Sequence, residues 1–177
     1  MTHGGTSLAA FPGSYNPPTV AHLAMAEAVV RQCGVARVDL VLSRSALGKE
    51  SVRRPTVEER AEVLRSVVAN GRPWLGVVVT DDQLLADIAE GYQILVLGAD
   101  KWEQVMDPVF YGGSVAQRDA AIARLPRLAV ARRRAHDVPR GPHVVVLDVE
   151  HHEVSSTAAR AGAVDLMLPE ARSSGFW

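Results

Sequence analysis

The sequence predicts an α/β fold: a Rossmann-like, doubly wound parallel sheet in a single domain spanning residues 1–177. Three observations lead there. Short apolar runs rich in Val, Leu and Ala recur at residues 8–11, 35–43, 74–80, 94–97, 128–131 and 144–147. Stretches with apolar residues at helical spacing lie between most of them. The 177 residues are enough for one domain with a sizeable core and do not call for two. Continuous apolar strands alternating with helices imply a mostly parallel sheet covered on both faces.

The first run, 8–11, reads as a short buried strand, and the Gly-, Asn- and Pro-rich residues 12–18 as a tight turn. Thr19 is a candidate N-cap; Leu23, Ala26, Val29 and Val30 then recur at helical spacing until Gly34 ends the pattern. The unpaired N–H groups of such a helix start point back at the loop, a ready site for a phosphate. Thr19 and His22, three residues apart, share the first turn and can face that site together. The second strand, 35–43, leads into a polar loop, 44–55, carrying Gly48, Lys49, Glu50, Arg53 and Arg54. Thr56-Val57-Glu58-Glu59 has the capping-box form and opens a helix that stops near Gly71.

A third strand at 74–80 is followed by a short helix at 83–90 and a fourth strand at 94–97, which ends in Gly98-Ala99-Asp100. Beyond it the pattern predicts a short helix near Trp102, an aromatic loop at 110–113 and a helix from Ser114 to about Leu125. Strands at 128–131 and 144–147 flank a basic loop, a last helix runs over 155–161, and residues 169–177 read as a loose tail.

Open parallel sheets bind ligands at the carboxyl ends of their strands, near the point where strand order reverses. The polar residues of this chain fall at such ends: 13–22, Lys49, Gly98 to Asp100, Arg132-Arg133-Arg134, and Ser155 to Arg160. In the last of these, Val154-Ser155-Ser156-Thr157-Ala158-Ala159-Arg160 joins hydroxyls and helix-start N–H groups to a guanidinium one turn on. That set suits polyphosphate oxygens, although an N-cap Ser and a solvated Arg alone would give the same letters.

Other functions are disfavoured. A formal net charge of -1 lacks the basic excess of a nucleic-acid binder. Cys33 is the only cysteine, so no internal disulfide can form. No apolar run approaches the ~20 residues of a bilayer span, and the first residues lack the charged and apolar regions of a secretory signal. The expectation is a cytoplasmic protein with no nucleic-acid or membrane partner, with homo-oligomerisation left open. There is no Gly-x-x-x-x-Gly-Lys-Ser/Thr and no Gly-x-Gly-x-x-Gly. His151-His152-Glu153 lacks a third ligand at metal-binding spacing, so no protein-held metal is expected.

Residues Gly13-Ser14-Tyr15-Asn16-Pro17-Pro18-Thr19-Val20-Ala21-His22-Leu23 resemble the signature loop of the nucleotidyltransferase superfamily, Gly-Ser-Phe-(Asn/Asp)-Pro-x-(Thr/His)-x-Gly-His-Leu, with Ala21 where the family usually has Gly. Residues 154–160 resemble the Ile-Ser-Ser-Thr-x-Ile-Arg motif of its adenylyltransferase branch better than the Arg-Thr-x-Gly-Ile-Ser-Thr motif of cytidylyltransferases. Within the superfamily the chain is most similar to nicotinate/nicotinamide mononucleotide adenylyltransferases and to phosphopantetheine adenylyltransferase. The resemblance implies transfer of AMP from ATP to the phosphate of a small phosphomonoester, with nicotinate or nicotinamide mononucleotide preferred, and release of pyrophosphate. Mg²⁺ would arrive on the ATP phosphates.

Carried over by position, the resemblance implies catalytic roles for Thr19, His22, Lys49 and Arg160. It implies nucleotide contacts from Gly13, Ser14, Tyr15, Gly98, Asp100, Ser155, Ser156 and Thr157, and acceptor contacts from Arg60, Trp102 and Arg132. One family segment has no counterpart. The Ser/Thr-Tyr-Thr-x-x-Thr-Leu stretch that helps recognise the pyridine nucleotide is replaced by Asp81-Asp82-Gln83-Leu84-Leu85-Ala86-Asp87. A cytidylyltransferase-like or phosphopantetheine-type enzyme, a nucleotide-binding homologue without catalysis and a plain assembly subunit stay open as alternatives.

Overall fold

Six strands make one parallel sheet: β1 (Leu8–Pro12), β2 (Arg37–Ser43), β3 (Leu75–Thr80), β4 (Ile94–Gly98), β5 (Arg127–Ala131) and β6 (Val144–Leu147). Their order is β3-β2-β1-β4-β5-β6, with every neighbouring pair parallel. The computed structural model describes residues 7–45, 54–133, 136–150 and 154–177; Lys49, Arg134 and His151-His152-Glu153 lie outside them. The helices are α1 (Val20–Cys33), α2 (Val57–Ala69), α3 (Leu85–Ile88), α4 (Ala99–Met106), α5 (Val115–Ala123), α6 (Ser156–Arg160) and α7 (Pro169–Ser174). Among the described residues no helix is long and apolar enough to cross a membrane.

The strands show why one sheet needs two apolar layers. Ala9 and Phe11 of β1, Leu40 and Leu42 of β2, Ile94 and Val96 of β4, and Ala129 and Ala131 of β5 enter one core, shared with α1 and α2. Their neighbours Ala10, Val41, Leu95, Leu97, Leu128 and Val130 enter the other, with Ile88 of α3 and Ala99 of α4. The alternation is the period of two of a pleated strand buried on both faces. Strand order reverses between β1 and β4, which places a crevice at their carboxyl ends.

Local chemistry sets the helix boundaries. Thr56 Oγ1 accepts from Glu59 N at 3.1 Å while Glu59 Oε2 accepts from Thr56 N at 2.6 Å, the reciprocal cap expected from the sequence. The Gly34 N–H closes α1 on Val30 O at 3.1 Å from a left-handed conformation, φ 67°. The helix expected at 83–90 is shorter, because Leu84 is still extended and the chain turns at Gly91 with φ 83°.

At the amino end of the sheet, buried Asp39 accepts from Arg37 Nε at 2.6 Å and from the Tyr92 hydroxyl at 3.0 Å. These two bonds are what make an acidic residue tolerable inside a strand. Burial first, then the Asp39 carboxylate, pushes the Tyr92 phenol up to about 12. A Cβ on Gly76 of β3 would stand 2.0 Å from Asp39 Oδ1, so only glycine fits beside the pair.

The segment expected to be a loose tail is ordered. Pro169 opens α7, and Ala171 enters a small core with Val63 and Met167. Glu170 receives Asn70 Nδ2 and Arg72 Nη1, each at 2.9 Å, tying α7 to the end of α2. Burial alone would raise the Glu170 carboxyl, but the Asn70 amide, its own backbone N–H and Arg72 together hold it below the usual value. A depressed folded-state pKa contributes stability above the ordinary Glu range of ~4.3, and that stability is lost as pH falls through the folded value. The melting temperature of Glu170→Gln should therefore lie below that of the native sequence at pH 7, and the gap should close on acidification. A gap that stays constant down to pH 3 would show that the charge is not what holds α7.

Candidate active site

The crevice at the carboxyl ends of β1 and β4 is a cleft of about 680 Å³. Both ends of the chain contribute to it. Phe11 to Ser14, Asn16 and His22 come from the first loop and α1; Leu97, Gly98, Asp100 and Lys101 from the end of β4; Arg133 and His136 follow β5; and Val154 to Thr157 and Arg160 surround α6. His22 and the Ser156-Thr157 pair thus open onto one space.

The first loop is held by contacts on both of its sides. The Gly13 N–H donates to Val41 O at 3.0 Å. Tyr15 sits in the left-handed region, φ 44°, with its ring fully buried beneath the loop. Its hydroxyl donates to Phe11 O at 2.5 Å, and burial pushes the phenol well above its ordinary pKa, so it stays a donor. A Cβ on Gly13 would come within 2.9 Å of that ring, so the glycine serves the packing of Tyr15.

His22 stands at the open edge of this packing, its ring centroid 5.0 Å from that of Tyr15 and 6.0 Å from that of Phe11. Thr19 N donates to His22 Nδ1 at 3.0 Å, and Thr19 Oγ1 is 2.8 Å from the same nitrogen. A backbone N–H can only donate, so Nδ1 is an acceptor and the neutral ring carries its proton on Nε2. Thr19 is itself fully buried. It does not line the cleft, where a phosphate contact was expected of it, and both its backbone N–H and its hydroxyl meet the imidazole instead.

The carboxyl-terminal motif is bolted to the same loop. Ser155 Oγ accepts from Ala158 N at 3.1 Å and caps α6. Ser156 Oγ donates to Pro17 O at 2.7 Å; Arg160 donates through Nη1 to Asn16 O and through Nη2 to Thr157 Oγ1 at 3.3 Å. Leu168 N donates to Pro18 O at 3.0 Å, and Thr19 and Met167 form an antiparallel bridge. Between the two motifs, a Cβ on Gly98 would meet Asp100 Oδ1 at 2.4 Å and Arg133 Nε at 3.2 Å, so a side chain there would have to push those two aside. Asp100 pairs with Arg133 at 3.5 Å.

Four more expected residues lie elsewhere than the resemblance implied. Tyr15 is beneath the loop. Arg60 is buried on α2, where Nε donates to Thr56 O at 3.2 Å and Nη1 to Ser14 O, so it braces the loop from behind. Burial pulls its pKa down against the opposing pull of Glu58, yet a guanidinium stays charged at any physiological pH. Arg132 is exposed, and the next residue, Arg133, lines the cleft, because successive residues leaving a strand turn to opposite sides. Trp102 packs against the second core rather than lining the cleft. Ala21, where the family usually has Gly, is buried in α1, so its methyl group fills the interior and not the cleft.

Lys101 and His136 line the cleft without having been named, and Asn16 and Arg133 line it after being named only as parts of the signature loop and of the basic run. Lys101 could have been found from its place three residues after the end of β4. His136 carries no local signal beyond polarity.

Beside the cleft, and sharing Pro12, Gly13, Ser14 and Lys101 with it, is a mainly apolar side pocket of about 100 Å³. Val41, Leu84, Leu85, Ile88 and Val105 form its walls, and Gln83, Gln104 and Tyr111 add polar groups. Among the described residues no three His, Cys, Asp or Glu side chains are grouped to hold a metal, and Asp100 is the only carboxylate lining the cleft.

The fold is shared with solved structures at low identity. Plasmodium falciparum nicotinic acid mononucleotide adenylyltransferase complexed with NaAD superposes with a TM-score of 0.70 at 11% identity, covering 96% of this chain and 94% of that one. The same protein complexed with APC gives 0.67, also at 11% identity and over 96% and 94% of the two chains. No curated protein matches the sequence. Residues 10–162, from the first strand to just past α6, match the cytidylyltransferase-like family, and this chain belongs to that family of nucleotidyltransferases.

Proposed function

We propose that the protein transfers AMP from ATP to the phosphate of a small phosphomonoester, with a pyridine mononucleotide, nicotinate or nicotinamide, as the favoured acceptor. The observation carrying this reading is that His22 and the Ser155-Ser156-Thr157 segment line one cleft although more than a hundred residues separate them. The order of the Ser-Ser-Thr-x-x-Arg motif favours ATP over CTP.

In this reading an acceptor phosphate oxygen attacks the α-phosphorus of ATP in line, a new P–O bond forms, and the bond to the β-phosphate breaks to release pyrophosphate. No protein nucleophile takes part. The chain contributes position and charge compensation. His22 Nε2–H donates to an oxygen of the α- or β-phosphate. Thr157 and the N–H groups near Ser155 and Ser156 hold the outer phosphates, with Arg160 fixing the loop and adding charge. Gly98 lets the nucleotide lie against the end of β4, and Asp100 faces its ribose. Lys101, shared by the cleft and the side pocket, stands where charge builds up as the two substrates meet. Lys49 is assigned the same task by position in the motif order.

Mg²⁺ commonly takes one or two carboxylates together with substrate phosphates and keeps several waters. A cleft lined among the described residues by a single carboxylate, Asp100, fits an ion carried on the triphosphate rather than one held by the protein. Such an ion would offset charge on the phosphate oxygens. The side pocket, joined to the cleft through Pro12 to Ser14, is proposed to take the non-phosphate part of the acceptor.

The test is pyrophosphate release from ATP and from CTP with nicotinate mononucleotide, nicotinamide mononucleotide, phosphopantetheine and simpler phosphomonoesters. Release with ATP and one acceptor, abolished in a Thr19→Ala/His22→Ala double variant, is the expected result. Binding of ATP with no release from any acceptor would make the protein a nucleotide-binding homologue without catalysis.

A further inference from the structure

Asn16 is more than nine-tenths buried, yet it lines the cleft. Its side-chain oxygen accepts from Trp177 Nε1 at 2.6 Å, across 161 positions of sequence. Its backbone oxygen accepts from Arg160. Both oxygens of the residue are therefore claimed from the carboxyl-terminal side. An indole N–H can only donate, so the contact fixes which end of the amide faces Trp177. The two Nδ2 protons are left on the other side, and no acceptor among the described residues takes them. A largely buried residue whose amide donors are unused at the wall of a cleft that also holds His22, Lys101, Arg133 and Arg160 is suited to an anion.

We infer that Asn16 binds the nucleotide through Nδ2 and that Trp177 is its positioning residue. The indole claims Oδ1 and thereby turns the amide protons toward the phosphates. With the amide reversed, a carbonyl lone pair would face phosphate oxygen and repel it. This assignment rests on the nucleotidyl-transfer reading above. It also gives α7 and the residues after it a functional role, since they bring Trp177 to the loop.

A double-mutant cycle on the full chain tests it, with Mg·ATP affinity measured by calorimetry. Asn16→Ala should weaken binding about tenfold or more, the scale of one hydrogen bond to a charged group. Trp177→Phe keeps a ring in place but removes the donor, and should weaken binding about three- to tenfold. The double variant should bind no more weakly than Asn16→Ala alone, because Trp177 acts through Asn16. If Trp177 only anchors α7, Trp177→Phe will lower the melting temperature and leave affinity unchanged, or its effect will add in full to that of Asn16→Ala; either result overturns the inference.

A second measurement covers variants that fold poorly. In the native protein the ¹⁵N-resolved side-chain amide pair of Asn16 should shift when Mg·ATP or inorganic pyrophosphate saturates the cleft. Saturation without that shift overturns the inference and leaves the nucleotidyl-transfer reading standing. If the native protein binds neither ATP nor pyrophosphate, both fall together.

Discussion

Replacing His22 by Ala should lower the rate of pyrophosphate release by about 10²–10³-fold, the usual cost of removing one donor aimed at transition-state charge. ATP affinity should change far less, because a contact that strengthens only as charge develops contributes little to ground-state binding. The geometry supports such a contact. Thr19 N holds Nδ1 at 3.0 Å, and the Tyr15 and Phe11 rings flank the imidazole, so its direction is set before any ligand arrives. The ring also completes the start of α1, so His22→Gln is the control. Glutamine suits this capping position and keeps an acceptor for the Thr19 N–H. Near-native melting with low turnover in His22→Gln would assign the loss to chemistry, whereas equal losses of turnover and ATP affinity in both variants would remove His22 from the reaction.

Tyr15→Ala should destabilise the fold by about 3–5 kcal/mol, the range for deleting a large buried aromatic side chain. Tyr15 supports the whole signature loop. Its ring meets Phe11 edge to face at 5.9 Å, supports His22 at 5.0 Å and occupies the space that a side chain at Gly13 would need. Tyr15→Phe keeps the ring and leaves Phe11 O without its partner, for a smaller loss of about 1 kcal/mol. Urea unfolding checks both values. A cost below 1 kcal/mol for the alanine variant would mean that the loop holds its shape without the ring.

The strands were legible because a doubly buried sheet demands unbroken apolar runs, and the Thr56–Glu59 cap because its letters are those of the general rule. The cap at Thr19 was half legible: Thr was readable, but its partner at the third position is a histidine, which sequence patterns assign to ligands. The signature loop identifies which residues lie near the crevice without saying which way each one faces. Thr19, Tyr15 and Arg60 therefore read as ligand contacts, whereas the structure places all three in the interior, bonded to His22, to Phe11 O and to Ser14 O. Arg132 and Arg133 differ only by the pleat, which no local pattern resolves at a strand end. The residues after Pro169 looked unstructured because their partners, Asn70, Arg72 and Asn16, are about a hundred or more positions away.

Those long separations also bear on how the protein is made. The bonds joining the first loop to the carboxyl-terminal motif span 139 and 144 residues, and the one to Trp177 spans 161. A chain emerging from the ribosome can pair β1 with β2 early, yet the cleft lacks one wall until residues 154–160 have followed. A nucleotide would find no complete pocket before then and could stabilise only a chain that already carries both segments.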